Sequence, residues 1–362
     1  MLTILASSML AVSTFSLNIM VTAHRAAADT ATPRLHRILL DDTTTQSVLS
    51  VFIGAFVYSL ASIVLFQLGF FPDDAAIFVM AITCLVVVAV ILSLLRWINH
   101  LTTLGSLEDS LRQAKSRAQE TLRAQARNPR FGGSPLSEDT VVPLSTRSLR
   151  APETGYLQLI DMAKLEDCLP DRASLYLNVS PGTHVLVGET LGEVSGVEDD
   201  EVLDKLAKAF TFGSTRTHEQ DAALGLITLS EIASKALSPG INDPGTAVEV
   251  LMIMKSLLWD FVLDDPDDEA APVKGVFARF PNASDLLVTS FGPIARDSAG
   301  NYEVTMHLME SLAALSALED QELSTATSAL AKEIVATAAE ADLSDRELSK
   351  LRSVTFTNVA EK

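Results

Sequence analysis

The chain has 362 residues, a net charge of −19 and a mean hydropathy of +0.27. Such strong acidity argues against nucleic acid as a partner, because proteins that bind it present basic surfaces. Its two cysteines, Cys84 and Cys168, form no CxxC pattern, so we expect neither a disulfide framework nor a zinc site.

Three apolar stretches open the chain, at residues 1–21, 47–71 and 75–95, and none of them contains a charged residue. A helix needs about 20 apolar residues to cross the hydrocarbon core of a bilayer. The sequence therefore predicts a multi-pass membrane domain over residues 1–97, in contact with lipid. The second and third stretches are close enough to form a hairpin, with its turn at residues 70–74.

The first stretch could also be a secretory signal peptide, because small residues follow it at 26–28. A signal peptide begins with a basic region, but no Lys or Arg precedes Arg25. We therefore favour a retained membrane helix. Hydroxyl and amide side chains in a membrane helix seek hydrogen-bonding partners on other helices. On that basis we expect a homo-oligomer assembled through Ser7, Ser8, Ser13, Thr14 and Asn18.

The basic residues beside the membrane stretches predict the orientation. Arg25, Arg34 and Arg37 follow the first stretch, and residues 96–130 are also rich in Arg and Lys, whereas the hairpin turn has neither. Basic flanks favour the cytoplasmic side of a membrane. We expect a plasma-membrane protein with a cytoplasmic C-terminal domain, which puts Met1 outside, an orientation that a missing upstream helix would explain.

Residues 98–150 are predicted to form an amphipathic helix, at 106–128, and then a Gly-, Ser- and Pro-containing linker. Ser106 can cap this helix, with Asp109 in the capping-box position. One face is apolar and the other faces are basic. The helix either packs on the soluble domain or contacts anionic lipid or another subunit. The apolar face consists of Leu107, Leu111, Ala114, Ala118 and Leu122.

Short β-prone runs punctuated by turn residues predict a small β module over residues 151–200. Residues 201–362 have mainly helical patterns, with strands expected near Leu286–Phe291 and Tyr302–Met306. The predicted fold class is an α-helical membrane domain followed by an α+β soluble domain.

The stretch from Arg216 to Pro244 contains the strongest local signals. Thr217 is predicted to cap a helix, with Gln220 as its capping-box partner. Another helix is expected to begin with Asp243 as its N-cap and Pro244 at its first position. The turn between the two helices is formed by Ser238, Pro239 and Gly240, and Gly240 is expected to be left-handed.

These residues resemble the signature of the DUF2254 family, predicted bacterial membrane proteins of unknown function. The pattern is Arg-Thr-x-Glu-Gln-Asp at 216–221, then Ala-Leu-Ser-Pro-Gly-Ile-Asn-Asp-Pro at 236–244. Supporting similarities lie at residues 6–9, 32–35 and 155–161, whereas Leu-Asp-Asp at 40–42 departs from a basic run in the family. The resemblance implies a fold and a bacterial inner-membrane location, but no activity. Family members usually have a further N-terminal helix, which would explain an outside Met1.

The polar residues of this signature have two interpretations. In the structural one they cap helices, form ion pairs and fix a turn. In the functional one, carboxylates and amides near a helix N-terminus bind a cation or a small polar ligand. The residues concerned are Arg216, Glu219, Gln220, Asp221, Asn242 and Asp243.

No nucleophile–base pair, phosphate-binding loop or metal-ligand spacing is visible, so we expect no enzymatic activity, no cofactor and no bound metal. The polar first stretch favours an oligomeric conduit, similar to a channel or transporter, with a cytoplasmic regulatory domain. The alternative is a non-transporting membrane scaffold or sensor whose cytoplasmic domain binds a partner or a small ligand.

Overall fold

The computed structural model of the chain describes residues 1–30, 32–40, 43–69, 75–101, 106–137, 140–266 and 272–356. The chain divides into two compact units, Met1–Gln113 and Ala114–Lys362. The first contains the long apolar helices, and the second contains two small sheets followed by helices. The predicted fold class, a helical membrane domain before an α+β soluble domain, is confirmed.

Among the described residues of the first unit, three helices are long and apolar enough to cross a membrane. They are α1 (Leu2–Thr30), α3 (Thr43–Gln67) and α4 (Ala75–Leu101), with the short α2 (Pro33–Leu40) between α1 and α3. Their candidate spans are Leu2–Thr22, Thr44–Gln67 and Ile77–Leu101. The second span thus begins and ends earlier than predicted, and the predicted hairpin turn at 70–74 lies outside the described residues.

Helix α3 packs against both α1 and α4. Its buried Phe52 lies in an apolar cluster with Met9 of α1 and with Val90 and Trp97 of α4. The hydroxyl of Tyr58 lies 2.9 Å from the Thr83 hydroxyl and joins α3 to α4 by a hydrogen bond. Only 17%, 28% and 22% of the three spans is buried within the chain, so most of their apolar surface faces outward.

Helix α5 (Leu107–Arg127) begins as predicted, because the Ser106 hydroxyl accepts a hydrogen bond from the Asp109 N–H at 3.1 Å. The unit boundary falls inside this helix. Within the second unit, the Thr121 hydroxyl donates to the carbonyl of His218 and the Gln125 amide donates to the carbonyl of Pro281, both at 2.8 Å. The C-terminal part of α5 therefore packs on the soluble unit, which was one of its two predicted roles.

Two sheets follow a 3-10 turn at Pro129–Gly132. One has the strand order β5-β3-β7, all antiparallel, and the other has the order β1-β8-β4-β6-β2. Four strands, β1, β2, β7 and β8, lie outside the range 151–200 predicted for the β module, because the two sheets include strands from distant parts of the chain. The strands are β1 (Ser134–Pro135), β2 (Thr146–Arg150), β3 (Gly155–Ile160), β4 (Ser174–Leu177), β5 (His184–Val185), β6 (Thr190–Ser195), β7 (Phe210–Gly213) and β8 (Val276–Ala278).

The rest of the second unit is helical. Helices α6 (Met162–Cys168) and α7 (Asp200–Ala207) cover the sheets. Helix α8 packs on α9 and α10, and α12 packs on α10 and α11. The six C-terminal helices are α8 (Ala222–Leu237), α9 (Pro244–Leu263), α10 (Ala283–Asp297), α11 (Tyr302–Leu315), α12 (Gln321–Glu340) and α13 (Asp345–Arg352).

The two strands predicted near Leu286–Phe291 and Tyr302–Met306 are wrong, since both segments are helical. Asn282 and Asp285 form a complete capping box that starts α10, and the Asn301 side chain caps α11. The buried residues recur at helical spacing only when longer windows are read, as in Val304, Leu308 and Leu312. Windows of five or six residues are too short to distinguish the strand period of 2 residues from the helix period of 3.6 residues.

Candidate functional site

The loop between β7 and α8 contains a largely buried ion pair. The Arg216 Nε donates to Asp221 Oδ2 at 2.6 Å, and its Nη2 donates to Asp221 Oδ1 at 2.8 Å. Asp221 Oδ1 also accepts the N–H of Leu224 at 3.2 Å, so Asp221 is the N-cap of α8. The predicted cap at Thr217 is wrong. Residues 216–220 form a loop that bonds to β3 through Gln220, and the helix begins only after it.

Gln220 ties this loop to β3 by a pair of hydrogen bonds. Its Oε1 accepts the N–H of Ile160 at 2.7 Å, and its Nε2 donates to the carbonyl of the same residue at 3.1 Å. Nearby, the Gln158 amide donates to the carbonyl of Thr215 at 2.7 Å. The Gln220 amide therefore extends the strand pairing of Ile160 rather than forming the capping box expected with Thr217.

The turn that contains Gly182 closes over the ion pair. Gly182 has a φ of +91°, and a Cβ built on it would lie 2.3 Å from Asp221 Oδ2 and 2.8 Å from Arg216 Nη2. Only glycine allows both this backbone conformation and such a close approach. The ion pair is thus enclosed between the β region and the start of α8.

Little of this ion pair remains available to a ligand. The side chain of Asp221 is 3% exposed and that of Arg216 is 20% exposed. The carboxylate accepts three hydrogen bonds from the protein, in the two-pronged geometry that makes arginine–carboxylate pairs strong. Together with Gln220, the pair acts as a cross-link between β3, the Gly182 turn and α8.

The second group of signature residues forms the turn between α8 and α9. Asn242, not Gly240, is the left-handed residue, with a φ of +50°, so the prediction for Gly240 is wrong. Residues 238–241 first close a tight turn, in which the N–H of Ile241 bonds to the carbonyl of Ser238. This turn moves the left-handed position two residues along, to an asparagine, which tolerates it better than other residues with side chains.

Asp243 caps α9, as predicted, and Pro244 occupies its first position. Its Oδ1 accepts the N–H of Thr246 at 3.1 Å, and its Oδ2 accepts the Thr246 hydroxyl at 2.6 Å. The hydroxyl bond, then the backbone bond, lowers the pKa of Asp243 below its usual value. Asn242 is exposed.

The structure does not bring the six candidate ligand-binding residues together. Arg216, Gln220 and Asp221 lie before the first turn of α8, and Asn242 and Asp243 follow its last turn. A helix rises about 1.5 Å per residue, so the 16 residues of α8 separate the two groups by about 24 Å. Glu219 is exposed, and its carboxylate is 3.4 Å from the Thr217 hydroxyl. Among the described residues, no group of His, Cys, Asp and Glu is placed to hold a metal ion.

Two glycines with a decisive role were not singled out from the sequence. Gly182 contacts the ion pair, and Gly225 of α8 lies against α5, where an added Cβ would be 2.6 Å from the Cα of Ala118. The Pro-Gly sequence at 181–182 signals a turn. The neighbouring residues in the sequence do not indicate what a turn or a helix face will contact in the folded chain.

Removing the Asp243 cap should weaken the second unit in a pH-dependent way. Because the pKa of Asp243 is lowered by folding, its contribution is present above the ordinary aspartate pKa of about 4 and is lost as the pH falls through the folded value. We expect Asp243→Ala to cost about 0.5–2 kcal/mol at neutral pH. Urea unfolding of the full chain in detergent at pH 7 and at pH 3 measures both values.

The matched control is Asp342→Ala, which removes an exposed carboxylate that caps no helix. A loss for Asp243→Ala that is equal at the two pH values, or equal to the loss for the control, would contradict the capping role.

Comparison with known proteins gives similarity without an activity. A family model described as a predicted membrane protein (DUF2254) matches residues 1–314. An uncharacterized protein of Mycobacterium tuberculosis is 29% identical over 252 residues, and one of Mycobacterium bovis is 28% identical over 252 residues. Each alignment covers 65% of this chain and 47% of the relative, so the chain spans about half the length of the curated relatives it matches. No solved structure matches.

Proposed function

The chain belongs to the DUF2254 family of predicted membrane proteins, and from that premise we propose that it is an oligomeric conduit of the bacterial inner membrane, similar to a channel or transporter. In this proposal the three candidate spans cross the membrane, and the second unit is a cytoplasmic regulatory domain. The observation that carries the proposal is an exposed polar stripe on α1.

The polar stripe consists of Thr3, Ser7, Thr14, Asn18 and Thr22, all of them exposed. Successive residues of a helix are 100° apart, so these five positions share one face of α1 about 100° wide. The stripe runs along the whole candidate span Leu2–Thr22. A face of this kind is poorly suited to lipid tails and well suited to water or to another copy of the chain.

The hydrogen bonds of the stripe define what it offers to a neighbour. The hydroxyls of Ser7, Thr14 and Thr22 each donate to a carbonyl one turn earlier in α1. Such bonds satisfy the hydroxyl proton within the helix, so these residues do not by themselves require a partner. Within the described part of the chain, the Asn18 side-chain amide makes no hydrogen bond. Asn18 therefore provides the strongest argument for an oligomer.

The orientation follows from charge. Arg25 lies beyond the first span, and Arg96 lies near the end of the third. Both regions carry further basic residues, whereas the residues between the second and third spans include no Lys or Arg. The positive-inside rule supports a cytoplasmic location for both regions, and hence for the second unit.

The proposed assembly predicts cross-links between copies along the stripe. Single cysteines at Ser7 or Thr14, in a Cys84→Ser/Cys168→Ser background, should form disulfide-linked dimers when native membranes are oxidised. A cysteine at Leu85, which is exposed on α4, is the matched control and should cross-link far less. Equal cross-linking at all three positions, or none at any, would contradict assembly through the stripe.

A non-transporting scaffold or sensor is the second candidate, and the charge of the spans favours it. The spans Leu2–Thr22 and Thr44–Gln67 contain no Asp, Glu, Lys or Arg, and Arg96 is the one such residue in Ile77–Leu101. Charged residues within a membrane often mark ion or proton pathways. In this candidate the stripe is an interface without a pore, and the cytoplasmic domain binds a partner or small ligand.

A further inference from the structure

The exposed face of α5 carries a cluster of basic side chains in a strongly acidic protein. Leu111, Ala118 and Leu122 are buried along one face of the helix. The basic residues lie around the rest of its surface, with Lys115 at the edge of the buried face. The basic cluster consists of Arg112, Lys115, Arg117, Arg123 and Arg127, all of them exposed. The buried residues fix which face of the helix is presented, so the cluster is held in place by the fold.

Ion pairs within the chain neutralise only part of this cluster. Arg112 pairs with Asp109, Arg117 lies 3.7 Å from Glu120, and Arg127 lies 3.8 Å from Asp264. Across the described residues, Lys115 and Arg123 have no ion pair. These two side chains outnumber the one further exposed carboxylate of α5, Glu108, and so leave a net positive charge on the exposed surface of the helix.

The position of α5 in the chain keeps the start of this helix near a bilayer. Five residues separate the end of α4 at Leu101 from the start of α5 at Leu107. An extended chain covers at most about 3.5 Å per residue, so the start of α5 lies within about 20 Å of the end of the third candidate span. Anionic headgroups attract basic residues within about 10 Å at 0.1 M salt and most strongly at contact, so a helix tethered this closely can bring basic side chains into range.

We propose that the exposed basic face of α5 binds anionic lipid headgroups of the membrane that the chain spans. The proposal goes beyond the conduit and rests on the proposed function only in treating α4 as a membrane span. The contact would hold the start of the soluble unit at a defined depth and make that attachment depend on lipid composition. Each basic residue near an anionic surface strengthens such binding by about fivefold.

The test uses the full chain in nanodiscs, with Cys84 and Cys168 replaced by alanine and a fluorophore at Ser116→Cys, in the middle of the basic face. A nitroxide on the lipid headgroups quenches the fluorophore when the two are close. We expect strong quenching in discs that contain phosphatidylglycerol, and weak quenching in discs of phosphatidylcholine alone. Raising the salt from 0.1 M to 1 M should remove the difference, since the screening length falls to about 3 Å.

The double variant Lys115→Gln/Arg123→Gln should weaken the attachment equilibrium by about 25-fold, from two factors of about five. The matched control is Lys332→Gln/Arg346→Gln, which removes the same two charges from exposed positions on α12 and α13. Quenching that ignores lipid charge and salt, or that falls equally in both double variants, would overturn the proposal. Nanodiscs expose both faces of the bilayer and carry no current, so neither topology nor conduction affects the result.

Discussion

Gly225→Val should destabilise the second unit by at least about 3 kcal/mol, the upper range for overpacking a core. A Cβ on Gly225 would lie 2.5 Å from the Cβ and 2.6 Å from the Cα of Ala118. Because one of these atoms belongs to the backbone of α5, no rotamer change can relieve the clash. Either α8 and α5 move apart or the unit unfolds.

Urea unfolding of the full chain in detergent measures this cost, with Trp259 fluorescence followed in a Trp97→Phe background. Gly300→Ala is the matched control, because Gly300 has no positive φ and a Cβ there meets no atom within 4 Å. Alanine at this position should leave the stability unchanged or raise it by up to about 1 kcal/mol. If Gly225→Val were as stable as the parent chain, the close crossing of α5 and α8 would be wrong.

The second large effect is expected from Asp221→Asn, which should cost about 3–5 kcal/mol, the range found when one partner of a buried ion pair is removed. Asparagine keeps the shape of the side chain but leaves Arg216 without its carboxylate. It also replaces the acceptor Oδ2 by an amide that points at a guanidinium. The free energy of unfolding from the same urea titration measures the loss.

Two further variants separate the ion pair from a general effect of charge. Asp200→Asn breaks the exposed pair with Arg147 and should cost no more than about 1 kcal/mol. Arg216→Gln/Asp221→Asn removes both charges and should be less destabilising than the sum of its single variants. Strict additivity would mean that the two residues are not coupled, which contradicts the cross-link described above.

Much of the architecture was readable from local pattern. The three apolar stretches needed only length and the absence of charge, and the caps at Ser106 and Asp243 needed only a polar residue before a helical run. Asp221 shows the limit of that approach. By local pattern, Thr217 with Gln220 as a capping box is as good a helix start as Asp221 as the N-cap. The helix starts at Asp221 because Gln220 instead bonds to Ile160, which lies 60 residues earlier.

The sequence alone could not show which of the candidate site residues lie close together. Residues 216–243 are continuous in sequence, so Arg216 and Asp243 looked like parts of one site. The length of α8 places these two residues at opposite ends of the helix. The signature residues at each end then have their own structural partners. The roles of Gly182 and Gly225 are also set by packing, because only the tertiary structure brings a side chain or a helix backbone against them.

Conductance of the purified full chain in planar bilayers tests the central proposal, an oligomeric conduit, most directly. The preparation must first be shown to be oligomeric by cross-linking. We predict discrete current steps that are strongly reduced by Asn18→Leu, which removes the amide from the polar stripe, and unchanged by Ser50→Ala, which removes an exposed hydroxyl from α3. A verified oligomer that remains silent over a range of ions and voltages would contradict the conduit and leave the scaffold or sensor as the better account.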